Sequence, residues 1–323
     1  MVVLLLTRLL LPLCSNIINN KQHITTNAMP PNQANVLPLL ERLPSALEDG
    51  KIRVAILGCG MMGQEHISYI SGYPSLRVDY LCDPHAPSLE ASWKVMKAFH
   101  REDEQLVQPT LLSSEEDLLA QAHSIDLLVI CSPNHLHTPT LQRWGHHDIT
   151  IVCEKPVAVS QEQHDQLQAL QQDPAFVARI WVAMEYRYIP AIAKLLDLLE
   201  TIGDVRMVTI RENRYPFLHK IGAWNRDIAK TGDSLVEKCC HFFDLFRLIT
   251  GKEVQLDKIR ALAQRGFNYE DEEPIHDIPI MDSAYVTMPF ESESAPLIGC
   301  LELCMFAEGS RHQEEIIVTG SKV

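Results

Sequence analysis

A short apolar run that breaks into glycines sets the architecture of this chain. Ile52, Val54, Ala55, Ile56 and Leu57 have the length and composition of a buried parallel strand, and Gly58-Cys59-Gly60-Met61-Met62-Gly63 follows at once. Each glycine of a G-x-G-x-x-G has a steric task. Gly58 permits the tight turn, Gly60 lets backbone approach a pyrophosphate without a Cβ in the way, and Gly63 allows the next helix to pack closely on the strand. That helix, expected over 61–71, would aim its unpaired N–H groups and its dipole at phosphates. A second strand, expected over Leu76–Cys82, ends at Asp83, 20 residues beyond Gly63. This is the spacing of the acid that binds ribose hydroxyls in a dinucleotide fold. A carboxylate there repels a 2′-phosphate, which favours NAD over NADP. Asp83 also reads as a turn residue, since Asp-Pro commonly opens a turn.

The elements that follow keep the alternation of strand and helix. A helix is expected over 88–100, and Ser113-Ser114-Glu115-Glu116 offers a capping-box-like start to another. A strand over 125–130 runs into Cys131-Ser132-Pro133-Asn134-His135-Leu136-His137, and one over 149–153 runs into Glu154-Lys155-Pro156. Polar loops at the carboxyl ends of parallel strands lie where ligands bind in open α/β sheets. His135 and His137 raise the question of a metal, but no acid or cysteine follows at ligand spacing, so no metal is expected. The pattern predicts an α/β protein whose N-terminal part, residues 51–175, is a Rossmann doubly wound parallel sheet.

The whole chain has 323 residues, enough for about two domains of roughly 150 residues. Acidic residues outnumber basic ones 42 to 28, a net charge of −14, which argues against a nucleic-acid partner because that needs a basic face. Nine cysteines without framework spacing, several in apolar runs, read as reduced core residues of a cytoplasmic protein. Residues 1–50 read as a leader with one short helix, from the periodicity of Val36, Leu37, Leu39, Leu40, Leu43 and Leu47. The apolar stretch 1–13 is shorter than the roughly 20 residues a membrane span needs, so no membrane partner is expected. Organelle targeting or secretion by that stretch stays open, as does a true start at Met29.

GCGMMG, the Cys-Asp-Pro around Asp83, SPNHLHTP and CEKP together resemble the Gfo/Idh/MocA oxidoreductases, which include inositol, glucose and other sugar dehydrogenases. The resemblance runs from about Lys51 to the end, and CEKP at this distance after SPNxxH is its specific part. It implies oxidation of a secondary alcohol of a polyol or sugar, with NAD or NADP as hydride acceptor. It also implies a second α+β domain over 176–323, whose mostly antiparallel sheet carries the substrate site and allows a homo-oligomer. Strands are expected near 176–186, 205–213, 258–264, 283–288, 297–305 and 315–319, and helices over 189–199 and 233–249, with a loop at 221–227 that holds Trp224 and Arg226.

On the 233–249 helix, Leu235, Cys239, Phe242, Phe246 and Ile249 share a buried stripe, while Glu237, His241 and Asp244 line a second one. The bland account of that second stripe is a solvated face. An imidazole between two carboxylates is held in one tautomer with its basicity raised. The family pattern is D-x-x-x-H-x-x-D, in which Glu237 replaces the first Asp by a side chain longer by about one C–C bond. Cys239-Cys240-His241 is not read as zinc, because adjacent side chains on a helix diverge by about 100°.

Oxidising an alcohol requires a base on its hydroxyl, and His241 fits because an unperturbed imidazole titrates near about pH 6.5. Lys155 would hydrogen-bond the same oxygen and stabilise its developing charge. The resemblance implies the same Lys–His pair, with Glu237 positioning the substrate. Glu154 and Pro156 would shape the turn beside the nicotinamide, and Ser132, Pro133, Asn134 and His137 would border the cofactor with Gly58, Gly60, Met61, Met62, Gly63 and Asp83. In the family, a stretch like the final EEIIVTG is followed by further strand and helix. The expectation is therefore a C-terminally truncated chain, or a sheet completed by another chain. A non-catalytic dinucleotide-binding regulator, or an inactive truncated paralogue, is the alternative.

Overall fold

The computed structural model describes residues 51–100, 105–267, 279–292 and 296–322. The leader and the short helix expected before residue 50 lie outside the described residues. The chain divides into two bodies. The first takes in 51–157 and 169–183 of the described residues, and the second takes in 158–168 and 184–322.

The first body is built on a six-stranded sheet in the order β3-β2-β1-β4-β5-β6. Its strands are β1 Ile52–Leu57, β2 Leu76–Cys82, β3 Thr110–Leu112, β4 Leu127–Ile130, β5 Thr150–Cys153 and β6 Ile180–Val182. Every pairing is parallel. Such a sheet is covered on both faces, which is why its strands are continuous apolar runs: Val54, Ala55 and Ile56 of β1 and Leu128 and Ile130 of β4 are fully buried. The strand order reverses between β1 and β4, so the ligand crevice of the doubly wound fold falls at their carboxyl ends. Helices at Met61–Ile70, Ala86–Phe99, Glu115–Leu119 and His137–Trp144 connect the strands. Ser114 caps the third of them, its hydroxyl accepting from Asp117 N at 3.1 Å.

One expectation fails around β6. Residues 176–186 are not a strand. Asp173 accepts from Ala175 N at 2.9 Å and Pro174 follows it, so Pro174–Arg179 is a helix. Only three residues of β6 remain extended, and Glu185–Tyr188 is a 3₁₀ turn. An Asp N-cap with proline in the first turn outweighs the apolar run behind it.

The second body carries a five-stranded sheet in the order β11-β7-β10-β9-β8. Its strands are β7 Val205–Asn213, β8 Arg260–Arg265, β9 Met281–Pro289, β10 Ile298–Cys304 and β11 Glu314–Gly320. All pairings are antiparallel except β7 with β10. Alternation along β9 and β10 turns Ala284, Val286, Met288, Leu301 and Leu303 inward. The helix Cys240–Thr250 packs on this face with Phe242, Leu245, Phe246 and Ile249 buried. Gly299 makes room for it, since a Cβ there would stand 3.0 Å from the Phe246 ring.

The single helix expected over 233–249 is two helices, Ser234–Glu237 and Cys240–Thr250. Asp233 enters them at φ 80°, ψ 171°, backbone space that is almost reserved for glycine. It is held there because its Oδ1 accepts from Ser234 N at 2.8 Å and Met281 N at 2.7 Å, while Arg265 Nη1 meets Oδ2 at 2.5 Å. At the break Cys239 N reaches Ser234 O at 3.3 Å, five residues back. A bond of that span inserts a residue into the turn, so the four-residue spacing from Glu237 to His241 no longer places them on one regular stripe. No helix among the described residues is long and apolar enough to cross a membrane.

Candidate functional site

In the first body, the loops that leave β1, β2, β4 and β5 gather most of the residues singled out from the sequence. Gly58 takes φ +96°, and a Cβ on it would lie 2.5 Å from both Cys131 C and Ser132 N. Only glycine fits that position. A Cβ on Gly63 would lie 2.0 Å from Gly58 O, so this glycine is what lets the Met61–Ile70 helix start against the strand. Gly60 differs, with nothing within 4 Å of its Cβ position and no side chain capping the helix it precedes. The first-turn N–H groups of Met61, Met62 and Gly63 therefore lack a side-chain cap, in the arrangement that favours a phosphate.

Asp83 is anchored twice. Its Oδ2 accepts from Cys59 N at 2.7 Å, inside the glycine loop, and its Oδ1 accepts from His85 N at 2.8 Å. The second bond is the turn role open in the sequence. The first ties the acid to the loop that would carry the pyrophosphate, and a carboxylate has about four acceptor positions, so two stay open to a ribose.

The loops after β4 and β5 are joined by His137. The ring is fully buried, with Nδ1 at 2.8 Å from Pro156 O and Nε2 at 2.8 Å from Ser132 O. Both nitrogens face backbone carbonyls, so this side chain acts as a buckle between the SPNHLH and CEKP loops. Thr138 adds a second tie, donating to Val157 O at 2.8 Å. Asn134 is buried as well. Ser132 Oγ is buried with no hydrogen-bond partner among the described residues, which suits a group bound from outside the chain. The open space at Gly60, the uncapped helix start and this orphan hydroxyl together fit a dinucleotide.

Glu154 is buried, accepting from the Lys155 N–H on Oε2 at 3.2 Å, while His66 Nε2 lies 2.8 Å from Oε1. Burial alone would raise its carboxyl, but the His66 bond and the charges of Lys155, His66 and His137 hold it below the usual range. Lys155 is half-buried and precedes a cis peptide bond to Pro156. Sequence reasoning misses His66, whose only signal is its place on the helix face behind the glycine motif.

In the second body, His241 is nearly buried on the Cys240–Thr250 helix. Tyr186 stacks on it, ring centroids 4.5 Å apart and planes 13° from parallel, and Glu185 Oε1 is 3.8 Å from Nε2. Each carboxylate of the expected stripe has a cationic partner. Asp244 is held by Arg187, whose Nε and Nη2 both donate at 2.5 Å. Glu237 Oε1 is 3.8 Å from Lys220 Nζ, which itself sits 4.5 Å from the Trp224 ring centroid. In place of the expected loop at 221–227, Ile221–Arg226 is a 3₁₀ segment kinked at Gly222 and Ala223, fixed by Asn225 Nδ2 donating to Leu218 O and Arg226 Nη2 donating to Phe217 O, at 2.7 and 2.6 Å.

A polar cluster behind Tyr186 also escapes sequence reasoning. Lys238 Nζ lies 3.1 Å from Glu212 Oε1 and 3.7 Å from Glu314 Oε1, and it donates to the Tyr186 hydroxyl at 2.6 Å. Burial pushes Glu212 up to about 7 against the pull of Lys238. Glu314 feels burial too, but the Tyr186 hydroxyl and Lys238 keep it below the usual range. Among the described residues no three His, Cys, Asp or Glu side chains gather as a metal site.

Comparison with known proteins agrees with this architecture. Residues 52–177 match the model of an oxidoreductase family with an NAD-binding Rossmann fold, and residues 197–323 match the same family's C-terminal alpha/beta domain. The chain is similar to inositol 2-dehydrogenase of Rhizobium meliloti (strain 1021), 27% identical over 205 residues that make up 62% of this chain and 56% of that protein. It is also similar to inositol 2-dehydrogenase of Corynebacterium glutamicum, 26% identical over 222 residues, 67% of this chain and 60% of that protein. The matches thus span less than two thirds of the length of these relatives. Its fold is that of the myo-inositol dehydrogenase from Lactobacillus casei, solved with NAD(H) and myo-inositol, at TM-score 0.66 and 17% identity over 84% of this chain and 72% of that one. With an NAD-binding Rossmann domain and the matching C-terminal domain both present, the chain belongs to the Gfo/Idh/MocA oxidoreductase family.

Proposed function

We propose that the chain is an NAD-dependent dehydrogenase that oxidises a secondary alcohol of a polyol or sugar, inositol-like in class. Backbone N–H groups of Met61, Met62 and Gly63 would hold the pyrophosphate, with Gly60 leaving room for it, Asp83 would hold the ribose, and Ser132, Pro133, Asn134, His137 and Glu154 would border the rest of the cofactor. When bound, NAD supplies the hydride acceptor. His241 takes the proton of the reacting hydroxyl, and the Lys155 ammonium donates a hydrogen bond to the same oxygen as its charge grows. Glu237 accepts a hydrogen bond from a neighbouring hydroxyl and fixes which carbon reacts. The observation that carries the reading is the half-buried Lys155 with the ionised, buried Glu154 beside it at the end of β5. A surface lysine before a proline has no need of such a neighbour. The inositol 2-dehydrogenases among the relatives support the substrate class.

The test is NADH production across a panel of inositols and aldoses, with Lys155→Ala and His241→Ala beside the parent. Each variant is expected to lose at least about 100-fold in kcat while NAD affinity stays within about twofold, in line with removal of an acid–base group. Near-normal turnover in Lys155→Ala ends the proposal. Tight NAD binding with no turnover of any polyol or sugar would instead mark a binding protein without catalysis.

A further inference from the structure

The imidazole of His241 rests on a ring that is itself fixed at its far end. Tyr186 stacks on His241 at 4.5 Å and leans on Phe242 with centroids 5.7 Å apart at 60°. Its hydroxyl donates to Glu314 Oε1 at 2.6 Å and accepts from Lys238 Nζ at 2.6 Å. The two hydrogen bonds pin the hydroxyl end of the ring, and its packing between His241 and Phe242 sets the plane, so the face it presents is set. Burial raises the phenol well above its ordinary value, so the hydroxyl stays protonated and the donor role persists.

We propose that Tyr186 is a positioning residue for His241, its tethered ring holding the imidazole in place and favouring the protonated form through its π face. The proposal deepens the dehydrogenase reading and rests on His241 being the proton acceptor. Charged groups stand on several sides of the pair. Glu185 lies 3.8 Å from His241 Nε2, Asp244 is neutralised by Arg187, and Glu237 is met by Lys220. Behind the ring, the Lys238 ammonium is 4.8 Å from the Tyr186 centroid, but Glu212 and Glu314 oppose its charge. Arg214 Nη1, 3.6 Å from Glu212 Oε1, offsets part of that negative charge. The imidazolium that forms on proton transfer therefore finds an electron-rich face already in position.

The experiment is a titration of His241 by histidine Cε1–H NMR in the full chain, the resonance assigned with His241→Gln. Tyr186→Leu is expected to lower the midpoint by about half a pH unit, the size of a modest cation–π contact, and to move the resonance downfield as the ring current is lost. Tyr186→Phe keeps the face and is expected to recover at least half of that change. If Tyr186→Leu does not fold, Tyr186→Met fills the space without a π face and reads the same change. A midpoint unmoved in the Leu or Met variant, or a Phe variant displaced as far as they are, overturns the proposal. Turnover separates it from the reading beneath. Full activity in His241→Gln removes the base itself, whereas loss there with an unmoved midpoint in Tyr186→Leu removes only the positioning role. If both hold, Tyr186→Leu is expected to lower kcat about tenfold with KM for the alcohol within about twofold.

Discussion

Gly63→Ala loads the start of the Met61–Ile70 helix by an amount that can be worked out. The added methyl would stand 2.0 Å from Gly58 O, 3.0 Å from Gly58 C and 3.5 Å from Ile56 Cγ2. Ordinary contact begins near 3.4 Å. If the glycine loop keeps its path, the helix must retreat from β1 by about 1.4 Å, and overpacking of this kind costs about 1–3 kcal/mol. For a body of this size that is a fall in Tm of about 3–10 °C. The retreat also withdraws the first-turn N–H groups, so NAD affinity is expected to fall with stability. Gly60→Ala is the informative partner. Its methyl meets nothing within 4 Å, and its φ of −73° suits any residue. Its Tm is therefore expected to stay within about 2 °C, as for an unconstrained site. Its NAD affinity is expected to drop at least about tenfold, or about 1.4 kcal/mol, if the space it fills is, as proposed, the pyrophosphate's. Scanning calorimetry gives the first quantity and titration calorimetry with NAD the second. If Gly60→Ala bound NAD as the parent does, or if both variants lost stability equally, the assignment of separate tasks to the two glycines would be wrong.

Glu212 makes a prediction about pH. Its carboxyl is raised from 4.5 to about 7 by burial, so between those values the folded chain keeps a proton that the unfolded chain has released. Stability contributed by this group therefore falls as pH rises through that window. Glu314 is displaced the other way, and the stability it contributes is lost as pH falls below its ordinary value. Urea unfolding of Glu212→Gln from about pH 5 to 7.5 is expected to show a slope flatter than the parent's, and equal slopes would refute it. Burial also raises the thiols of Cys59, Cys131, Cys153 and Cys239. All four are expected to resist iodoacetamide at about pH 8 until the chain is unfolded, and peptide mass spectrometry showing rapid alkylation of Cys131 or Cys153 would contradict this.

What can be read from sequence follows the range of the forces involved. β1, β2 and β7 occupy Ile52–Leu57, Leu76–Cys82 and Val205–Asn213 as expected, because each is an apolar or alternating run closed by local stop signals. The Asp173-Pro174 helix start is also a local signal, but Phe176, Val177, Ile180 and Trp181 behind it imitate a strand and mask it. The break after Glu237 has no such marker. The entry to its first helix, at Asp233, is held by Met281 N and by Arg265, residues far along the chain. The same division holds at the site. Lys155 and His241 sit in recognisable motifs, whereas the Lys238 cluster unites Tyr186, Glu212 and Glu314, the first and last 128 residues apart. No periodicity within one helix can show that three such positions meet.

The path of the chain bears on any attempt to take this protein apart. It passes out of the first body after Val157, comes back after Gln168 and leaves again after Ala183. β6, at the rim of the parallel sheet, is reached only on the return. A fragment ended at Val157 would carry the glycine loop and CEKP yet leave β5 with a bare edge, open to self-association. A nick at any one of these passages leaves at least one product holding pieces of both bodies, so dissection has to keep 51–183 together and accept the surplus residues 158–168 with it.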